Sequence, residues 1–227
     1  MHMRKQLFFV PFILILCSCA GLLISRNARN EFEQGLTLFN QGRYEQAIPR
    51  FQKATEIEPK YTEAYIYLGR SYLNLGKWVE AIAPLRTAYR LSPEDTKKEV
   101  VNFLLDALIG GALSEFKKDN YATSISYLKE ALGADPQSDT AKNELVTSLI
   151  ALGGQLVSEG RPAEAVSSFT EAIEIAPKNL DAYLGLAIAF LKAGDYASAM
   201  HVVNDAVKKI ATSDAERVPF WDLIRGN

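Results

Sequence analysis

The sequence predicts an all-α solenoid of about five stacked helical hairpins, closed by a short C-terminal capping segment. Three observations lead there. From residue 28 onward the chain resembles itself at a spacing of 34 residues. Each copy carries small residues at fixed places, with proline near its end in four of the five. Between those marks, large apolar residues recur with helical period. One such hairpin cannot bury its own apolar face, so neighbours must stack. With 227 residues and 48% of them apolar, the chain has enough to fill such a core.

The first element is a leader at residues 1–26. Arg4 and Lys5 precede Leu7 to Ile24, which is apolar apart from a Cys-Ser-Cys step, the order of a bacterial export signal. Within it Leu16-Cys17-Ser18-Cys19 resembles a lipobox, with a branched apolar residue at −3, a small one at −1 and the acceptor cysteine at Cys19. Cys17 is unsuited, because Leu16 would stand at −1. A second reading is an uncleaved signal anchor, since Ala20 to Ile24 stays apolar where many lipoproteins have a polar tether. Its 18 residues span roughly 27 Å as a helix, slightly short of a ~30 Å hydrocarbon core. Lys5 and Arg26 flank that segment and Pro11 interrupts it. A third reading is ordinary secretion with cleavage after Ala20. The first two hold the body at a membrane surface, by acyl chains or by one helix.

The hairpins follow. Residues 28–61 carry Gly35, Leu38, Gly42, Tyr44, Ala47, Phe51, Ala54 and Pro59, and residues 62–95 match them with Gly69, Tyr72, Gly76, Trp78, Ala81, Leu85, Ala88 and Pro93. Copies at 105–138 (Ala112, Tyr121, Ser124, Leu128, Ala131, Pro136), 146–179 (Gly153, Gly160, Ala165, Phe169, Ala172, Pro177) and 180–213 (Ala187, Gly194, Tyr196, Ala199, Val203, Ala206) continue the series. This pattern resembles the tetratricopeptide repeat, whose repeats place small residues at positions 8, 20 and 27 and proline at 32. The resemblance covers about four-fifths of the chain and implies a right-handed solenoid that binds proteins. Together with the leader, it resembles bacterial tetratricopeptide lipoproteins.

Each residue type has a physical reason. Small residues at positions 8 and 20 let the two helices of a hairpin cross closely, and large apolar residues at 4, 7, 11 and 24 fill the space around the crossing. Glycine at position 15 accepts the positive φ of a short turn. Proline at 32 ends the second helix. Glu31 and Gln34 stand where apolar residues are expected, and in a first repeat they read as an end cap. Pro49 and Pro84 fall inside second helices and predict a local bend. Nine extra residues, 96–104, and seven more, 139–145, keep the helical period. They predict first helices lengthened by about two turns, capped by Asp, Ser or Thr. One reading is a longer variant repeat and the other a ridge projecting toward a partner. At the start of the tail 214–227, Ser213-Asp214-Ala215-Glu216 reads as a capping box before an apolar run. They read as a cap on the last hairpin, or as a docking segment.

In the tetratricopeptide family, ligands mostly lie along the concave side, at first-helix positions 2, 5, 9 and 12. The resemblance therefore nominates Phe32, Leu36, Phe39, Ile66, Arg70, Leu73, Ile109, Leu113, Phe116, Ile150, Val157, Leu184, Ile188 and Leu191 as a protein-binding groove. Arg29, Glu63, Asp106, Thr147, Gly154 and Asp181 fill the remaining places. Such an apolar strip suits a helix or strand of a protein partner, unless it closes into core. The Lys, Asn and Arg set with which some family members grip acidic tails is absent: Phe32, Leu36, Ile66 and Arg70 occupy positions 5 and 9, and Gly110 and Gly185 occupy position 6.

Composition narrows the chemistry. Removing Arg4 and Lys5 leaves 23 basic against 27 acidic residues beyond Cys19, a mildly acidic body without a basic cluster, which disfavours nucleic acid. His201 is then the only histidine, so His/Cys metal sites, Cys–His nucleophiles and disulfide frameworks have no residues to build them. Glu56, Glu58, Glu171 and Glu174 read as solvated helix faces. Gly110-Gly111 and Gly153-Gly154 lack the Lys-Ser/Thr of a phosphate loop and read as close packing. No catalytic residue, metal or cofactor is expected. The predicted function is a membrane-tethered adaptor or assembly factor of the bacterial cell envelope, facing the extracytoplasmic side. The alternatives are a signal-anchored, self-associating scaffold in the inner membrane and a non-catalytic subunit of a cell-wall enzyme complex.

Overall fold

A computed structural model describes residues 24–209; the lipobox at Cys19 and the capping segment 214–227 lie outside them. The described chain folds as helical hairpins in series: α1 (Arg26–Asn40) with α2 (Tyr44–Ile57), α3 (Thr62–Asn74) with α4 (Trp78–Leu91), α5 (Glu94–Phe116) with α6 (Tyr121–Ala134), α7 (Asp139–Ser158) with α8 (Pro162–Ile175), and α9 (Leu180–Lys192) with α10 (Tyr196–Lys209). This is the all-α solenoid that the sequence predicts.

The turns within hairpins follow from backbone chemistry. Gly42, Gly76, Gly160 and Gly194 all take φ between 67° and 80°, where a side chain is strained. The third hairpin has Asp119 at this place with φ 60°, and its carboxylate accepts a 2.7 Å hydrogen bond from the Tyr121 hydroxyl. Short polar side chains tolerate this region better than most. Between hairpins, the second helices stop two residues before Pro59, Pro93, Pro136 and Pro177. α2 and α4 run unbroken through Pro49 and Pro84.

The two inserts are helical. α5 has 23 residues and α7 has 20, against 13 in α3 and α9. Ser138 caps α7, accepting from the Ala141 amide. No side chain caps α5, which begins at Glu94 after Pro93, so the cap expected there is missing. The Asp95 carboxylate accepts only from the adjacent Thr96 amide, at 3.0 Å.

Packing is organised by a small residue facing a large one. A β-carbon added at Gly35 would stand 2.8 Å from the Phe51 ring, one at Gly69 2.4 Å from Leu85, and one at Gly153 2.6 Å from Phe169. Phe51, Leu85 and Leu128 are fully buried. Each such side chain contributes about 1.5–3 kcal/mol by leaving water. Gly185, from the next hairpin, comes even closer to Phe169, its added β-carbon at 2.2 Å. Gly110 and Gly111 likewise make room for Trp78 and Ile82. Gly154 meets nothing, so close packing does not account for it.

First helices of adjacent hairpins touch one another, α1 with α3 through α7 with α9. Second helices reach each other mainly through long side chains, Arg86 to Glu130 (Nε to carboxylate 2.6 Å) and Lys129 to Glu171 (2.8 Å). The first helices therefore form the tighter, inner layer. Glu31 corrects an expectation: it caps no end face. It is buried between α1 and α2 and takes the Lys53 ammonium at 2.7 Å and the Arg50 guanidinium at 2.9 Å. Those bonds, Lys53 first, hold its carboxyl below the ordinary value despite burial. Gln34 is exposed.

Two outcomes follow. Gly153→Ala should lower the melting temperature, because overpacking costs about 1–3 kcal/mol, more than the helix-propensity gain of about 1 kcal/mol. Adding Phe169→Leu should return part of that loss, and a double-mutant cycle measures the coupling; strict additivity would refute the wedge. A carboxyl whose folded pKa is depressed stabilises the fold above its unfolded pKa, and that contribution disappears as pH falls through the folded value. Glu31→Gln should therefore be less stable than the parent at neutral pH. The gap should close below the ordinary glutamate value of 4.5, as read from urea midpoints across an acid series.

Candidate protein-binding groove

The inner layer presents the residues nominated from sequence. Leu113 is 38% exposed, and the other thirteen are half-buried. They do not act alike along its length.

At the N-terminal end, Phe32 and Phe39 belong to an aromatic cluster. Phe32 lies 5.7 Å from Phe51, 4.9 Å from Tyr61 and 5.6 Å from Tyr67 between ring centroids, and Phe39 lies 5.1 Å from both Tyr44 and Tyr67. At the other end Ile150, Val157 and Leu184 pack against the cluster built on Phe169 and Tyr183. Phe116 rests on Tyr121 at 5.1 Å. Leu36, Ile66, Ile188 and Leu191 share the inner face without joining the cavities below.

The centre is open. Between hairpins two and three lies a cavity of about 730 Å³ walled by Trp78, Asp106, Ile109, Leu113 and Lys117, with Thr140 from the next hairpin at its rim. A second cavity, of about 290 Å³, adjoins it through Trp78 and Asp106 and adds Arg70, Leu73, Asn74 and Phe103. Of the nominated residues, Arg70, Leu73, Ile109 and Leu113 are thus brought together.

Local sequence explains the opening. Gly110, at position 6 of its repeat, has no side chain, and the Trp78 indole occupies that space; an added β-carbon would stand 2.5 Å from it. Trp78 remains 37% exposed, with one face on Gly110 and the rest in the cavity wall. The inserts supply Phe103 and Thr140, so they shape the groove as well as extending α5 and α7.

The charges are placed unusually. The Arg70 guanidinium lies 5.2 Å from the Phe39 ring centroid, 4.9 Å from Tyr67 and 5.0 Å from Phe103. Such contacts contribute about 0.5–2 kcal/mol each according to exposure. Among the described residues no carboxylate lies within 4.0 Å of it. Among the described residues Asp106 also has no cationic partner, and desolvation pushes its carboxyl above the ordinary range. No group of His, Cys, Asp and Glu suited to a metal ion occurs among the described residues.

Sequence reasoning did not nominate Trp78, Phe103 or Lys117. Trp78 was hidden because its position reads as a repeat core residue; the signal was Gly110, whose lack of a side chain turns that aromatic toward the groove. Phe103 lies in an insert, outside the repeat numbering.

A solenoid of helical hairpins with an open inner face defines a class of protein-binding scaffold, and comparison with known proteins agrees. Tetratricopeptide repeat family models match residues 32–96 and 156–217, together more than half of the chain. The chain belongs to the tetratricopeptide repeat family, whose members act as protein–protein interaction adaptors. A DnaJ homolog subfamily C member 7 homolog of Dictyostelium discoideum is 27% identical over 176 residues, covering 78% of this chain and 26% of that protein. Human protein O-mannosyl-transferase TMTC3 is 26% identical over 186 residues, 81% of this chain and 19% of that protein. The chain thus spans about a quarter or less of these curated relatives. A crystal structure of a TPR repeats protein from Bacteroides fragilis shares the fold with a TM-score of 0.58 at 16% identity, covering 89% of this chain and 98% of that one.

Proposed function

We propose that this protein is a membrane-tethered adaptor or assembly factor of the bacterial cell envelope, capturing a protein segment in the groove between hairpins two and three. One observation carries the binding half: paired cavities of about 730 and 290 Å³ open on the inner face, walled by apolar side chains together with Arg70, Asp106 and Lys117, none of which has an ion-pair partner among the described residues. Clefts of this size with a few convergent polar groups are the usual form of a ligand site. The tethering half rests on the leader, with Arg4 and Lys5 before the apolar run and Leu16-Cys17-Ser18-Cys19 at its end. No described helix is long and apolar enough to cross a membrane, so in this reading the tether is the leader itself.

Two experiments test the halves separately. A photocrosslinking residue at Leu113 should give partner adducts in cells, and one at Glu56 on α2 should not. Phe39→Glu with Leu73→Glu should remove the Leu113 adducts. Both positions are half-buried, so the variant is first checked for unchanged helicity, and Ser114→Glu on the cavity wall serves as a milder substitution. Equal adducts from both faces would overturn the groove. For the tether, Cys19→Ser should leave an unprocessed, heavier chain lacking the lipid. Unchanged mass and membrane retention would favour the uncleaved anchor.

A further inference from the structure

We propose that the groove reads one isolated carboxylate beside a large apolar side chain: a partner's Asp or Glu meets Arg70, and the neighbouring apolar residue enters the larger cavity against Trp78. This rests on the groove being the binding site.

Arg70 is built for that role. Some cations of the body hold carboxylates, Arg50 and Lys53 on Glu31 at 2.9 and 2.7 Å and Lys129 on Glu171 at 2.8 Å, while others, Lys117 of the larger cavity among them, project without an ion-pair partner among the described residues. Arg70 instead faces three aromatic rings at 4.9–5.2 Å and no carboxylate among the described residues. The rings crowd the guanidinium without taking up its N–H donors, none of which has a hydrogen-bond acceptor among the described residues. The cation is therefore immobilised before any ligand arrives, so little side-chain entropy is lost on binding. A planar fork with free donors matches a carboxylate.

The apolar half follows from the adjoining cavity. Trp78 belongs to both cavities, so a side chain lying on it sits next to a group bound at Arg70. Ile109 and Leu113 complete an apolar floor large enough for an aromatic or leucine side chain. Asp106 belongs to both cavities and repels a second carboxylate placed directly beside the first, whereas the Lys117 cation lines only the larger cavity, away from Arg70. The favoured segment thus carries a single acid and not an acidic run.

The test is selection of random dodecapeptides displayed on phage against the full chain in detergent micelles. Enriched peptides should share one Asp or Glu next to a bulky apolar residue. Replacing that acid by its amide should weaken binding of the synthetic peptide by about tenfold to a hundredfold, the worth of a charge-assisted hydrogen bond. With Arg70→Gln the acid preference should vanish, and with Asp106→Asn consecutive acids should become acceptable. Because the amide peptide is tested on the unmodified protein, the outcome stands even if an Arg70 variant misfolds. Enriched peptides without an acid, or bound equally as the amide, would overturn this proposal and leave the groove intact. Failure of any peptide to enrich, or enrichment unaffected by Leu113→Glu, would overturn the groove reading and this proposal together.

Discussion

Everything in this fold depends on how closely the two helices of a hairpin approach. That distance is set by the pairing of position 8 with position 24. Gly35 meets Phe51, Gly69 meets Leu85, and Gly153 meets Phe169, while Ala112 and Ala187 stand at the corresponding places with Leu128 and Val203. Glycine occurs with phenylalanine twice and with leucine once; alanine occurs with leucine and valine. Close packing of a small residue against a large one within each hairpin is what lets unlike sequences stack as similar units.

Much of this was legible in one dimension. A repeat shows each structural rule several times, so Gly42, Gly76, Gly160 and Gly194 could be recognised together as turn residues. The prolines could likewise be recognised as stops. What escaped was whatever departs from the repeat. Glu31 looked like an end cap because its partners, Arg50 and Lys53, lie one helix away and carry no motif. Asp119 replaces a turn glycine by tolerating positive φ, a property of geometry that residue type only weakly announces.

The groove was legible as a face and illegible as a site. Repeat numbering placed Arg70, Leu73, Ile109 and Leu113 on the inner side, but it gave equal weight to Ile188 and Phe32. Distinguishing them needs the crossing of α4 over α5, where Trp78 settles on Gly110 and leaves a cavity beside it. It also needs the insert, since Phe103 adds a third ring against Arg70. The two irregular stretches of the sequence therefore end up next to the most distinctive chemistry.

The arrangement of contacts has a further consequence. Among the described residues every substantial helix contact links elements of the same or the adjacent hairpin, so this body behaves as a short one-dimensional chain of units. Thermal opening in such a chain begins at the termini and moves inward. The cavities between hairpins two and three are sheltered by a neighbour on either side. Opening of an outer described hairpin therefore leaves the region that faces a partner in shape.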